Sequence, residues 1–513
     1  MMFSGDFPAK DRRFWTGLTV TLIVAVALFR LWVEATRGLP LYIDEAYYWY
    51  WSRQPDWGYF SKPPVIAWLI WLTTSFCGDG PLCVRLASQL LYPSTALLVY
   101  LVALRLAGGR AGFFAAMAFM LMPAVSLGSM VISTDAALLF FWALALYLFV
   151  RAIDTEDWRY WLAAGIACGF GLLSKYTMVI FPLSVLLFLA TQLRYRYWLR
   201  RWEPWLAAAI ALLIFLPNMV WNLHHHFATL AHTAHISNLA SHRLHWSELA
   251  EFVSGQTVVF GPLLTILLVL AAISAWRQGG TACRIGLAFM GPMLLVIMLQ
   301  ALLGRANANW AAPAYVSAAA LVGIWAVVRR HPAWLTAALA LNLSLMGIMY
   351  FYEPMAALAD VKLTAANDPY KRARGWDRFG KAIQQYDKRL KPRWWLAQDR
   401  ELLSQLAYQL RDGWPKVRAW HPDEGIHHHF DLVASLGIHD MEQITGAQSL
   451  IYVSWSSEPP ESLKKVARPV ETMLLQISIH EDYRRLIYLH RMYAMQAGTE
   501  IARSRVDDVP RLP

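Results

Sequence analysis

Residues 42–64 read YIDEAYYWYWSRQPDWGYFSKPP. Tyrosine and tryptophan crowd this stretch, interleaved with Asp44, Glu45, Asp56 and Lys62. It follows an apolar run at 14–33, and a spanning helix needs roughly 20 mainly apolar residues. Tyr and Trp favour the membrane interface, where one end of a ring is wet. An interfacial anchor lying flat would account for the rings. It does not account for the acidic pair that follows the first apolar run. Composition points the same way. The 513 residues are 57% hydrophobic and 16% charged, against roughly 25% charged in ordinary soluble domains. That balance excludes a string of soluble domains and intrinsic disorder, and four cysteines are too few for a disulfide scaffold. The chain reads as a polytopic α-helical membrane protein.

Working outward, further apolar stretches lie near 83–106, 111–129, 133–151, 158–173, 176–193, 204–222, 256–276, 284–303, 309–328 and 333–352. This predicts about eleven spans, the break at Ser174-Lys175 being the narrowest. The first run is too long for a signal peptide and lacks a small-x-small cleavage site, so it reads as a retained helix. Lys10, Arg12 and Arg13 precede it. Arg105/Arg110, Arg151/Arg159, Arg194/Arg196/Arg200/Arg201, Arg277/Arg284 and Arg329/Arg330 occupy every second connection. The positive-inside rule places that side and the N-terminus in the cytoplasm. The net charge of +11 is then a topology signal, and no nucleic-acid partner is implied.

The opposite side receives 34–82, the His-rich loop 223–255 and everything after Tyr352. Just over half of all charged residues lie after Tyr352, so we divide the chain into a membrane domain, 1–352, and a soluble domain, 353–513. In the latter, 393–398, 416–420, 449–455 and 486–492 read as strands, and 399–411 reads as a helix capped by Asp399. This predicts a small α/β domain with a loose tail after Gly498. Cys77 and Cys83, six positions apart on the outer side, could form a disulfide in an oxidising compartment; two unpaired small residues would fit equally well.

Ionisable side chains at a membrane need a reason, since one at mid-bilayer costs about 2.5–3.5 kcal/mol on insertion scales. The apolar spans are almost free of them, and the exceptions gather at the outer face: Asp44, Glu45, Lys62, Asp135, Lys175 and Arg305. Asp44 and Glu45 are adjacent and point about 100° apart on a helix, so one enters a cavity while the other holds a neighbouring group. Lys62 precedes Pro63-Pro64, which stiffen the turn; a snorkelling lysine is the bland alternative. Asp135 sits where it could simply favour its helix dipole, and Lys175 and Arg305 could either grip an anion or finish their helices. His224, His225, His226, His232, His235, His242 and His245 show no clean metal spacing, and His427–His429 still less. No Walker loop, dinucleotide fingerprint or HExxH motif is present, so a reaction here draws its energy from the substrate.

DEAYYW at 44–49, FSKPPVIAW at 60–68, Ser133-Thr134-Asp135, LLSKYT at 172–177 and NANWAAPAY at 307–315 resemble the bacterial polyprenyl-phosphate-sugar glycosyltransferases. These are GT-C membrane enzymes related to protein O-mannosyltransferases and to the lipid A aminoarabinose and galacturonic acid transferases. The resemblance covers roughly 10–352 and implies a GT-C-like fold with juxtamembrane helices on the outer face. It implies an inner-membrane enzyme with a periplasmic C-terminal domain. That enzyme inverts the anomeric centre of a sugar delivered on undecaprenyl phosphate. It assigns Asp44, Glu45 and Asp135 as catalytic, Lys62, Lys175 and Arg305 as donor-phosphate ligands, and Tyr47, Tyr59 and Asn309 as cavity lining. Lipid A or lipopolysaccharide core is the leading acceptor, and protein hydroxyls are the alternative. No cofactor is required. One departure bears on metal: Ser61 stands where the aminoarabinose enzymes carry a glutamate implicated in a metal site. That argues against a metal here and favours a different sugar. A transporter or flippase would place its charges near the midplane of repeated halves, and a non-catalytic scaffold would need no such cluster.

Overall fold

Inside a bilayer each backbone polar group must be paired within the protein, so apolar runs fold as helices. The structure, a computed structural model, describes residues 9–237, 244–422, 425–443 and 448–495. The anticipated loose tail and His242 lie outside the described residues. Among the described residues six helices are long and apolar enough to cross a membrane: Lys10–Arg37, Pro81–Ala107, Thr134–Thr155, Glu203–His224, Thr281–Leu303 and Pro332–Tyr350. Two bent pairs, Tyr176–Thr191 with Leu193–Arg200 and Trp246–Phe260 with Pro262–Gln278, raise the number to at most eight, each pair counted as one broken span. The remaining anticipated stretches form shorter helices. Residues 111–129 split into Gly109–Met120 and Pro123–Gly128, because Pro123 has no N–H to continue the first helix. The stretch 309–328 becomes a short 3₁₀ turn, Ala308–Ala311, and the helix Ala314–Val328.

The chain divides into two compact units. One comprises Met1–Leu41 and Trp51–Leu363; the other joins Tyr42–Tyr50 to Thr364–Pro513.

The first unit contains buried charges that the reading of outer-face residues passed over. Arg85 and Glu34 are almost fully enclosed and pair at 2.7 Å. Arg85 also donates to the carbonyls of Leu39 and Pro40, each at 3.0 Å. Arg30, 2% exposed, donates to the carbonyl of Met120 at 2.7 Å and to Ser126 Oγ at 3.2 Å. It thereby satisfies the end of the helix that Pro123 interrupts, where a cation suits the dipole. The view of the spans as almost free of charge is corrected accordingly. Arg30 and Arg85 sit within runs whose mean hydropathy hides them, and their partners are distant in sequence.

Among the described residues of the second unit, six strands form one sheet: β1 Trp394–Ala397, β2 Val417–Trp420, β3 Ser435–Leu436, β4 Ser449–Ser454, β5 Ala467–His480 and β6 Tyr483–Ala494. Their order is β3-β2-β1-β4-β6-β5. Pairings among β1, β2, β3 and β4 are parallel, while β6 is antiparallel to both β4 and β5. The strand and helix positions expected at 393–398, 399–411, 416–420 and 449–455 are present. Asp399 caps its helix, accepting from the backbone N–H of Glu401 and of Leu402. β5 was not anticipated. It is an edge strand whose first half is largely exposed, so its sequence lacks the in–out alternation that reports a half-buried strand. Its Pro469 is tolerated for the same reason. Leu396, Trp420, Leu450, Tyr452, Leu463 and Met492 form the core on one face.

Breaking a buried ion pair on one side leaves an uncompensated charge, at a cost of about 3–5 kcal/mol. Arg85→Met should therefore lower the melting temperature and the yield of folded protein in detergent, whereas Arg85→Met combined with Glu34→Met should recover more than half of the loss. A double variant no more stable than Arg85→Met would place the stabilisation in the carbonyl contacts instead.

Candidate active site

The loop carrying Lys62 is fixed from several sides. Tyr59 is fully buried. Its ring stacks on Trp51 at 4.7 Å. Its hydroxyl accepts from Asp56 N at 3.0 Å and lies 3.2 Å from the carbonyls of Trp51 and of Gln54. Burial raises its pKa well above the ordinary tyrosine value, so the phenol stays protonated. Its backbone N–H donates to the Lys62 carbonyl at 3.2 Å, and its carbonyl accepts from Thr229 Oγ1 at 2.8 Å. The helix Glu203–His224 grips the same loop. Asn218 donates to the Trp57 carbonyl and Trp221 Nε1 donates to Asp56, both at 2.7 Å. Gly58 lies so close that a Cβ there would stand 2.4 Å from the Trp221 ring. Lys62 itself is half-buried, and Pro63-Pro64 lead from it into the helix Val65–Cys77. A disulfide joins Cys77 to Cys83 across the turn into the next helix. Beside it Arg53 pairs with Asp79 at 3.1 Å and donates to Thr74 Oγ1 at 2.6 Å.

Three other connections of the first unit meet at Asp135. It occupies the first turn of Thr134–Thr155. Lys175 is extended, between the end of Trp158–Ser174 and the 3₁₀ turn Tyr176–Val179. Its ammonium lies 2.6 Å from Asp135 Oδ1, with the two side chains only 16% and 13% exposed. Asn309, from Ala308–Ala311, donates to Asp135 Oδ2 at 2.8 Å. Both carboxylate oxygens are thus held, in a setting where partial desolvation strengthens each contact. Lys175 neither merely finishes its helix nor stands apart from Asp135. Arg305 is exposed, three residues before the start of the short turn that presents Asn309.

Asp44, Glu45 and Tyr47 belong to the second unit, on the helix Ile43–Ser52. A helix this short is marginal alone, and packing within its unit holds it. Tyr50 stacks on Phe430 at 4.1 Å, and Trp49 meets Tyr408 edge-on at 5.2 Å. Tyr47 is 1% exposed; its ring stacks on Phe430 at 5.7 Å, and its hydroxyl accepts from His429 N at 2.5 Å. Glu45 is buried, and its Oε2 accepts from Tyr42 N at 2.9 Å, the backbone half of a capping box. Asp44 faces outward, 60% exposed, paired at 2.9 Å with Arg400. The two acidic neighbours therefore do different things, as their angular separation requires.

The histidine triplet of the soluble unit has a local explanation. Asp431 accepts from the backbone N–H of His427 at 2.8 Å and of His428 at 3.0 Å. His428 Nε2 meets the Gln398 carbonyl at 2.9 Å. Burial lowers the His428 pKa, opposed by Asp431. Among the described residues no three His, Cys, Asp or Glu side chains are grouped to hold a metal ion.

Residues 61–221 match the family described as dolichyl-phosphate-mannose-protein mannosyltransferase. The chain is 29% identical over 416 residues to the lipid A galacturonosyltransferase RgtD of Rhizobium johnstonii, covering 78% of this chain and 84% of that protein. It is also 29% identical over 202 residues to the lipopolysaccharide core galacturonosyltransferase RgtB of the same organism, spanning 41% of that relative's length. The crystal structure of ArnT from Cupriavidus metallidurans bound to undecaprenyl phosphate superposes with a TM-score of 0.61 at 16% identity. The match covers 92% of this chain and 97% of that one, so the fold is shared end to end.

The family model, these relatives and the shared fold all point to a polyprenyl-phosphate-sugar glycosyltransferase. The chain is a glycosyltransferase. Sequence reading singled out Asp135 and Lys175 by residue type and Asn309 through the family resemblance, but their pairing needed coordinates. It missed Arg400, which is 356 positions from Asp44. The one available signal was an arginine at the first position of a helix, where a cation opposes the dipole.

Forcing a side chain into a packed contact costs about 1–3 kcal/mol. Gly58→Ala should displace the loop that carries Lys62, slowing sugar transfer about tenfold for a shift of about 1.4 kcal/mol. Adding Trp221→Ala should restore part of that rate. An unchanged rate in Gly58→Ala would show that the loop tolerates the shift.

Proposed function

We propose that this enzyme transfers a galacturonosyl residue from an undecaprenyl-phosphate donor to lipid A, at the periplasmic face of the bacterial inner membrane. The observation that carries this reading is the extent of the likeness to RgtD. It spans 78% of the chain, more than either compact unit supplies alone. Serine at position 61, where the aminoarabinose enzymes differ, supports a sugar other than aminoarabinose. Residues 1–352 form the catalytic membrane domain in this reading, with the apolar stretches crossing eleven times, and 353–513 form the outer domain.

The chemistry is an inverting displacement. An acceptor oxygen attacks the anomeric carbon while the bond from that carbon to the phosphate oxygen breaks, and undecaprenyl phosphate leaves with the electron pair. Positive charge grows on the sugar ring as negative charge grows on the phosphate. Phosphate leaves readily without a proton, so a general acid is unnecessary. Lys62, on its braced loop, stabilises the charge on the departing phosphate, an interaction stronger in the transition state than in the ground state. Arg305 adds positive charge to the donor side, and Lys175, paired with Asp135, offers its remaining N–H groups to the donor phosphate. Asp44 takes the proton of an acceptor hydroxyl; with a phosphate acceptor no proton moves, and Asp44 orients the acceptor or stabilises the sugar cation. Asp135, clamped by Lys175 and Asn309, fixes the wall of its own unit, where Tyr59 braces the loop that carries Lys62; Glu45 and Tyr47 support the helix that carries Asp44.

Orientation rests on two independent features. Arginine occupies alternate connections, and the Cys77–Cys83 disulfide lies in a connection those charges place outside, where disulfides persist. Cys283 lies on the opposite, arginine-bearing side and is free. In intact spheroplasts a membrane-impermeant maleimide should label Cys77 and Cys83 only after reduction, and should reach Cys283 only after lysis. The reverse pattern would invert the topology.

The reaction is tested with synthetic polyprenyl-phosphate galacturonate and lipid A. Asp44→Asn should fold normally and lose about 10²–10⁴ of its rate, the range for general acid–base catalysis. Lys62→Ala should lower turnover and raise the donor KM. In parallel, lipid A from cells lacking the gene should lose a hexuronosyl mass. An unaltered lipid A with an altered core would move the acceptor to the core, and full activity in Asp44→Asn would remove Asp44 from the chemistry.

A further inference from the structure

Arg400 opens the helix Arg400–Leu410. That is an unfavourable place for a cation, because the helix N-terminus already carries partial positive charge. Its acidic neighbours do not explain it. Asp399 is engaged as the cap, accepting from the N–H groups of Glu401 and Leu402, and Glu401 pairs with Arg485 at 3.0 Å. The Arg400 guanidinium instead reaches Asp44 Oδ1 at 2.9 Å and lies over the Tyr47 ring at 5.3 Å. Tyr47 is itself fixed by His429 and Phe430, so the cation rests on an immobile surface one helical turn from the carboxylate it holds. Burial works against the charge on Arg400. Asp44, with Tyr47 and Tyr48, outweighs it and raises its pKa above the ordinary arginine value.

We infer that Arg400 is a positioning residue for Asp44, aiming its carboxylate for the transfer step. The inference deepens the proposed function and rests on Asp44 acting in the reaction. It assigns the soluble portion of the chain a part in turnover, because the residue that orients Asp44 comes from there. An ion pair this exposed contributes little to stability, typically 0–1 kcal/mol; misaiming a reacting group by about 1 Å can cost 10²-fold in rate. A merely structural contact and a positioning contact therefore give opposite signatures.

The test uses the full-length protein in nanodiscs, with polyprenyl-phosphate galacturonate and lipid A. Single-turnover and steady-state rates and melting temperatures are measured for Arg400→Gln, Arg400→Lys, Asp44→Asn and the double variant Asp44→Asn/Arg400→Gln. Arg400→Gln should lower kcat about tenfold or more, with KM for both substrates within about twofold and the melting temperature unchanged. Arg400→Lys should recover part of kcat, since it keeps the charge without the planar fork. In the Asp44→Asn background, Arg400→Gln should cause little further loss, because the two act as one unit. Should Arg400→Gln fail to fold, Arg400→Lys with and without Asp44→Asn reads the same coupling. Wild-type kcat in Arg400→Gln, or an equal fold-loss whether or not Asp44 is intact, overturns the inference. Full activity in Asp44→Asn would instead overturn the proposed function.

Discussion

A charge or hydrogen-bonding group removed from water must find its partner inside the protein, and the organisation of the membrane unit follows from that constraint. Arg85 is tolerated without solvent because Glu34 and two carbonyls receive its protons. Arg30 is tolerated because an interrupted helix leaves a carbonyl that needs a donor. The same requirement binds Asp135 on both oxygens. Each contact ties residues far apart in sequence, so satisfying a polar group and fixing the arrangement of helices are one event.

The proposed reactive groups are presented on connections rather than on the middles of helices. Lys62 leaves a loop braced by Tyr59, Trp221 and Asn218; Lys175 sits at a helix break; Asn309 stands on a single 3₁₀ turn. Extended or tightly turned backbone lets a side chain leave the helical bundle. It is admissible at a membrane only where protein or water satisfies the freed backbone groups. Dense local bonding around Tyr59 shows how that is done here. In the proposed reaction this layout is an advantage, because the groups assigned to phosphate and sugar are stiff before substrate arrives.

The helix bearing Asp44 shows a second use of the constraint. It leaves the first apolar helix in sequence, yet residues Tyr42–Tyr50 pack as part of the unit formed by Thr364–Pro513. Stacked rings of Tyr47, Tyr50 and Phe430 supply what a ten-residue helix lacks alone. Glu45 closes the first turn, which leaves Asp44 as the outward member of the pair.

By itself the sequence determined the membrane class, the places of the apolar helices, the alternation of basic connections and the α/β character of the C-terminal part. These properties are local: they depend on hydropathy, on residue types at helix ends, and on strand periodicity. The candidate residues were also legible by type, since charges beside apolar runs are conspicuous. Tertiary structure alone decided the rest. It broke the stretch at 111–129, bent two apolar runs, joined Cys77 to Cys83, and exposed β5 so that its periodicity was lost. It also chose the partners, Glu34 for Arg85, Lys175 and Asn309 for Asp135, and Arg400 for Asp44. Pairing depends on which distant segments the chain brings within about 3 Å, the range of a hydrogen bond, and no local pattern carries that distance.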